Sequence, residues 1–510
     1  MDDSESKSRY DRRAFMKLAA VSAAATAAGC SSEPANKLIP YLVPPESLVP
    51  GVPLWYKSTC RECPAGCGIV VKTREGRAIK VEGNPDHPIN RGGLCIRGQA
   101  ALQGLYDPDR VRQPLRRDEH GRLIPATWDE AEALLANLIS YLRYQKQSRQ
   151  IVFWSHRVTG SLESLFGAFV SALGSEHFQM YEPFACEQLR AANRMVFGTP
   201  EIPVLDISSA KVLISFGSDF LETWISNAGY ARDFAAFRGL RRGTPGKFIH
   251  IEPRQSMTAA AADEWIASGP GTEGHLVMGL IREILRSGLA VALPEPEVAR
   301  IRSLVADYDP ERVSRWTGVR ADRIVSLARL FAAADPGLAI GGGVAVLGTN
   351  ATATLAAVNL LNYVCGNIGR TVRFGGGTDL EHLATMKDVS ATVELMRRGE
   401  IPLMFFYHTD PAHNLPGGSA FEEALHKVAF KVSFSSYMDE TAVLCDLILP
   451  DTTPLECWED YSPRRGVHGI AQPVMEPLLQ VKSTPDFLLS VAKRLGEDLA
   501  HRFPQRTFRE

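Results

Sequence analysis

The sequence predicts an α/β protein built on doubly wound parallel sheets. Three observations predict it. Short, wholly apolar runs alternate with stretches of helical periodicity, the pattern of strands buried on both faces. The 510 residues suffice for two to four domains with their own cores. Glycine-rich turns, at Gly217 and Gly341–Gly343, close apolar runs where strand ends would meet helices or phosphates.

Composition narrows the class. Hydrophobic residues make up 45% and charged residues 22%, ordinary for a globular chain. The formal net charge is −2, so no broad basic surface exists and nucleic acid is not expected as a partner. No apolar run after residue 30 is long enough to predict a membrane-spanning helix.

Taken in order, residues 1–30 have the layout of a signal peptide. Paired Arg12 and Arg13 in "DRRAFMK" precede the alanine-rich "LAAVSAAATAAGC". Twin arginines before a weakly apolar body predict export of an already folded protein. "AAGC" has the form of a lipoprotein cleavage box with Cys30 as the acylated residue, except that Ala27 stands where leucine is usual. Residues 31–53 carry Pro34, Pro40, Pro44, Pro45, Pro50 and Pro53 and read as an extended tether.

"CRECPAGC" follows. Cys60, Cys63 and Cys67 are spaced C-x2-C-x3-C, and Cys95 ends "NRGGLC". A short loop turned by Pro64, Gly66 and Gly68 can aim three sulfurs at one point, and a remote fourth closes the cage. Disulfides are a rival in an exported chain. Folded export answers part of that objection, because a cluster can be inserted before transport. Zinc is a second rival, but this loop differs from a pair of separated C-x2-C knuckles. An empty vestige is a third. Arg61, Arg91 and Arg97 are the nearby cations able to offset thiolate charge.

Beyond the cysteines, Thr127 is placed to cap a helix in "TWDEAEALLANLISYL". Residues 151–155, 211–219, 247–253, 337–343, 401–407 and 429–434 read as buried strands, as does "LCDLILP". Residues 161–173, 273–287 and 352–364 read as helices between them. His156, His250 and His408 fall at or near strand ends, with no spacing that pairs them. Cys365, Cys445 and Cys457 read as packing residues. No nucleophile–His–acid set and no P-loop is present.

Ordered segments across residues 56–495 resemble one family. They include the cysteine loop, "GNPDHPINRGGLCIRG", "TWDEAEALL", "AKVLISFGSD", "IEPRQSMTAAAADEWIASGPGTEG", "LLNYVCGNIGR" and "DLILPDTTPLE". Together they look like the molybdopterin oxidoreductases, which hold a bis-pterin-dinucleotide molybdenum or tungsten centre beside a [4Fe-4S] cluster. "CRECPAGCG" and the leader look closest to the molybdopterin-like large iron–sulfur subunit of alternative complex III.

The resemblance implies a small β-rich iron–sulfur domain at 54–112. A Rossmann-like α/β domain at 113–184 and 336–481 would follow, with a second inserted at 185–335, then a C-terminal helix and tail at 482–510. The family's β-rich cap domain is expected to be absent. The resemblance implies one [4Fe-4S] cluster on Cys60, Cys63, Cys67 and Cys95, with Arg97 between cluster and pterin. The family's metal-ligand position falls on Ala185, one residue before Cys186. Cys186 is therefore read first as a small buried residue, and as a metal ligand in the alternative. Asp219, Glu252 and Glu273 occupy pterin-dinucleotide positions where the family has Asn, Asp and Asp, which argues against a molybdenum or tungsten pterin centre.

The function this implies is an electron-transfer or scaffold subunit of a membrane-bound quinol oxidoreductase, on the periplasmic side. Its partners would be a ferredoxin-like multi-cluster subunit, quinone-binding membrane subunits and haem proteins. A catalytic reductase using Cys186 and a cofactor-free structural subunit are the alternatives.

Overall fold

The computed structural model describes residues 49–239, 243–344 and 346–510. Arg12, Arg13, Cys30 and most of the proline-rich tether lie outside the described residues. The chain divides into two units, Met1–Val52 and Pro53–Glu510. Of the first, only residues 49–52 are described, a turn in which the Val52 N–H donates to the Val49 carbonyl at 3.0 Å. All that follows concerns the second unit.

The unit opens with an antiparallel meander: β1 (Leu54–Thr59), β2 (Gly68–Arg74) and β3 (Arg77–Gly83). Helix α1 (Ile96–Leu105) packs on β3. The β-rich character expected of this region is present, and the cysteine loop is the connection between β1 and β2.

Next come β4 (Leu115–Arg117), β5 (Leu123–Pro125), α2 (Trp128–Tyr144), β6 (Val152–Ser155), α3 (Gly160–Ala172), β7 (His177–Met180), α4 (Glu187–Phe197) and β8 (Ile202–Leu205). Thr127 caps α2 as expected: its hydroxyl accepts from the Glu130 N–H, and Glu130 reaches back to the Thr127 N–H. The chain continues with β9 (Val212–Phe216), β10 (Lys247–Ile251), β11 (Glu264–Ile266), α5 (Glu273–Arg286), β12 (Gly337–Gly341), α6 (Ala351–Val364) and β13 (Val372–Thr378). It closes with β14 (Met404–Tyr407), β15 (Lys431–Phe434), β16 (Leu447–Leu449), the hairpin β17 (Glu459–Arg464) and β18 (Val467–Ala471), and α7 (Thr484–Arg494).

Two sheets organise the unit. The larger has seven strands in the order β5-β4-β16-β15-β14-β6-β7, and β16 through β7 pair in parallel. Because successive strand residues face opposite sides, Phe153 and Phe405 join one core with α2, α3 and α7. Trp154 and Phe406 join a different core on the other face. The strands are thus covered twice, which is why they read as unbroken apolar runs.

The smaller sheet is parallel, in the order β11-β10-β9-β12. Ile214, Ile249 and Ala339 pack against α5 and α6, and Leu213, Phe248 and Leu338 pack on the opposite side. This sheet moves one strand from where the sequence put it. β12 was grouped with residues 336–481, yet it pairs residue for residue with β9. A boundary at 335/336 would cut the sheet, since an apolar strand carries no mark of which sheet it joins. Among the described residues, no helix is long and apolar enough to cross a membrane.

Candidate redox site

The cysteine loop is closed at its base by the Cys60 N–H, which donates to the Cys67 carbonyl at 2.8 Å. Gly66 turns it at φ +55, and a Cβ there would lie 2.6 Å from the Tyr461 ring. The fourth cysteine is brought in by Asn90. This fully buried amide pairs with both the N–H and the carbonyl of Gly68, at 3.0 and 2.9 Å, and donates to the Gly93 carbonyl at 2.6 Å. Asn90 thereby ties the residue after Cys67 to the segment that ends in Cys95. Sequence reasoning missed it; a polar residue between two cysteine-bearing loops was the available signal.

All eight described cysteines are free thiols, so the disulfide alternative is not realised. Burial pushes the Cys60 thiol well up and Cys67 up to about 12, and raises Cys63. Neighbouring sulfurs add to each shift: Cys67 and Cys63 act on Cys60, and Cys95 acts on both Cys63 and Cys67. The four sulfurs therefore share one locale.

Of the three candidate arginines, only Arg97 faces the thiols, where its charge lowers both Cys63 and Cys67. Arg91 pairs with Asp233. Arg61 turns inward, with its side chain 3% exposed: its Nε meets Glu459 at 2.9 Å and its guanidinium stacks 3.7 Å above Tyr461. It also reaches His156 Nε2 at 3.1 Å. A guanidinium only donates, so His156 Nε2 accepts and the proton sits on Nδ1.

A cavity of about 920 Å³ runs beside the loop. Cys60, Cys63, Arg97, His156, Cys186 and His408 are among its lining. His156 and His408 follow β6 and β14, which are adjacent parallel strands, so the two imidazoles share the crevice at the strand ends. His408 Nε2 meets Asp451 at 2.9 Å. Cys457 also lines the cavity, its thiol raised by burial, whereas Cys445 is fully buried and Cys365 lies against the core around α5 and α6.

Ala185 packs into the core of the larger sheet; Cys186 packs against the same core and also borders the cavity. Cys186 begins α4 with φ +51, and burial pushes its thiol up to about 12 despite Arg190 nearby.

The three positions that the resemblance assigns to a dinucleotide lie elsewhere. Asp219, Glu252 and Glu273 sit at the ends of the smaller sheet, 3%, 0% and 1% exposed, and none borders the cavity. Each keeps one buried oxygen without a hydrogen-bond partner. The glycine turn after β12 is filled by protein: a Cβ on Gly343 would lie 2.4 Å from Asp219 Oδ1, and one on Gly342 would lie 2.7 Å from Trp224 Nε1.

Comparison with known proteins bears directly on this arrangement. The molybdopterin oxidoreductase family model matches residues 110–494, and the model of that family's Fe4S4 domain matches residues 54–107. The chain belongs to the molybdopterin oxidoreductase family. It is 30% identical over 471 residues to the menaquinone reductase molybdopterin-binding-like subunit of Nitratidesulfovibrio vulgaris, covering 88% of this chain and 66% of that one. It is 23% identical over 489 residues to the arsenate respiratory reductase molybdopterin-containing subunit of a Shewanella species, covering 79% and 56%. With the periplasmic nitrate reductase of Desulfovibrio desulfuricans it shares 25% identity over 573 residues, covering 96% and 71%. The chain thus spans just under two thirds of the first of these relatives and little over half of the second. The acetylene hydratase of Pelobacter acetylenicus has the same fold, with a TM-score of 0.72 at 18% identity over 89% of this chain and 70% of that one.

Proposed function

We propose that this protein is an electron-transfer and scaffold subunit of a membrane-bound quinol oxidoreductase. It would carry one [4Fe-4S] cluster on Cys60, Cys63, Cys67 and Cys95 and no working molybdenum site. One observation carries the reading: the four thiols share one locale beside the cavity, while the dinucleotide positions are buried acids outside it. A diphosphate would meet the Asp219 carboxylate where the family offers an amide. The likeness to a menaquinone reductase subunit supports the assignment to a complex.

The cluster would supply one-electron transfer. The protein's own part is to hold four thiolates, offset their charge with Arg97 and brace the loop through Arg61, Glu459 and Tyr461. Docking on a ferredoxin-like multi-cluster subunit, quinone-binding membrane subunits and haem proteins would supply donor and acceptor. Arg12 and Arg13 would direct folded export, and an acylated Cys30 would add a lipid anchor. A single chain anchors only marginally, so protein contacts would hold the subunit in place.

A second reading, a catalytic pterin–molybdenum or tungsten reductase acting on a sulfur compound, is favoured by one observation: Cys186, not Ala185, borders the cavity. The partnerless oxygens of Asp219, Glu252 and Glu273 would also suit a base rich in N–H donors. Mild detergent extraction with native electrophoresis and mass spectrometry tests the proposal. Co-migration with membrane and iron–sulfur subunits is expected. A free monomer that carries pterin and reduces a soluble acceptor would contradict it.

A further inference from the structure

We infer that the outer face of the β1–β2–β3 sheet docks on an anionic bilayer surface. The inference goes beyond the cluster reading and does not rest on it. What carries it is the cross-strand register. Trp55, Lys72 and Lys80 stand in one row across the three strands, and Arg74 stands opposite Arg77 where β2 turns into β3. Val71 and Thr73 alternate with Lys72 and Arg74 and are buried, so the row and the arginines share the outer face.

The register sets like charges directly opposite each other twice, Lys72 against Lys80 and Arg74 against Arg77, an arrangement that destabilises a sheet. Exposed acids answer only part of the charge. Lys80 meets Glu82 at 2.6 Å, and Lys57 meets Asp86 at 3.0 Å. Glu75 lies in the turn between the two arginines. Among the described residues, Lys72, Arg74 and Arg77 have no carboxylate within ion-pairing distance. The face thus keeps a positive excess in a chain whose formal net charge is −2. An anionic partner would relieve the repulsion that the register imposes.

Apolar groups stand among the cations. Trp55 is 52% exposed, with Lys72 Nζ 5.6 Å from the centre of its ring. Ile79, the extra residue of a bulge between β2 and β3, is 47% exposed. An indole and an aliphatic side chain between lysines and arginines suit the headgroup layer, where the ring enters the boundary and the cations meet phosphates. The route of the chain points to a bilayer as well. It enters β1 from the segment that carries Cys30, which lies 25 residues before Trp55. One acyl chain there would bind a bilayer marginally, and a cationic patch is the second contact that makes such binding firm. The inner face of the sheet packs Ile69, Val71, Ala78 and Val81 with Cys60 and Cys67. Docking would therefore hold the cysteine loop behind a single sheet from the headgroups.

The test is co-sedimentation of the full chain, carrying Cys30→Ser so that no acyl chain contributes, with two kinds of vesicle. One is phosphatidylcholine alone and the other contains phosphatidylglycerol. Binding is expected to the anionic vesicles only, and salt should reverse it. Lys72→Gln and Arg77→Gln should each weaken it roughly fivefold, and Trp55→Ala should weaken it as well. Lys427→Glu, at an exposed lysine in the turn before β15, should leave binding as it is. Urea midpoints of the two cation variants should not fall, which separates a lost contact from a lost fold. No binding, equal binding to both vesicles, or undiminished binding when Lys72→Gln and Arg77→Gln are combined overturns the inference. Should the vesicles be ignored while that double variant drops out of the native complex, the face is a protein interface and the inference is equally overturned. Iron content decides the cluster reading separately.

Discussion

Arg61 and Glu459 meet at 2.9 Å with side chains 3% and 9% exposed, joining the cysteine loop to β17 across 398 residues of chain. Removing one partner of a buried pair leaves the other charge uncompensated, at a cost of about 3–5 kcal/mol. Glu459→Gln is therefore expected to lower the unfolding free energy by that order in urea titration. A change within experimental error would mean that the pair is not a brace.

Gly66 is a crowded, left-handed point of the loop. An added methyl group must face both a left-handed backbone and the Tyr461 ring at 2.6 Å. Gly66→Ala should displace the loop and reduce iron content per chain. Tyr461→Leu, which removes the Arg61 stacking partner but relieves the crowding, should restore part of the iron to the double variant.

Acid should weaken the fold before carboxylates protonate. Burial lowers the basicity of His156, with Arg61 adding to the effect, and burial lowers that of His250. Their folded values lie below the unfolded value of about 6.5, so the native state keeps them neutral while the unfolded chain binds protons. This stability is fully present above about pH 6.5 and is lost as pH falls toward the folded values, at up to about 1.4 kcal/mol per pH unit for each histidine. Urea midpoints measured from about pH 7.5 down to pH 5.5 should fall, and His250→Gln should reduce the slope. A midpoint independent of pH over that interval would contradict the burial argument.

Cys186 holds a left-handed backbone at φ +51 and gives α4 no side-chain cap. If its thiol does no more than fill space, Cys186→Gly trades lost packing for relieved strain, so metal and pterin content are unchanged and stability shifts by no more than about 1–2 kcal/mol. A loss of metal or pterin in that variant would instead favour the catalytic reading.

The buried strands at 151–155, 247–253 and 401–407 were legible because they are covered on both faces, and their order in the chain was enough to place them in parallel sheets. The membership of β12 was not legible, because pairing with β9 depends on where the chain returns after α5. The cysteines announced themselves by spacing. Asn90, Glu459 and Tyr461 did not, because their work is done through partners far away in sequence. The pairing of His408 with Asp451 was likewise hidden: each follows a different strand, and only the sheet order brings them to 2.9 Å. For Cys186, counting along the chain pointed to Ala185, and only the backbone turn showed which of the two borders the cavity.

The central claim is one cluster and no working pterin centre, and one measurement reaches it most directly. The protein, purified anaerobically in its native complex and then separated from it, is assayed together for iron, acid-labile sulfide, molybdenum, tungsten and acid-released pterin. The account predicts iron and sulfide matching one cubane cluster per chain, lost in Cys63→Ser, with no stoichiometric pterin, molybdenum or tungsten. Pterin and molybdenum or tungsten in stoichiometric amounts, or iron content unchanged in Cys63→Ser, would contradict it.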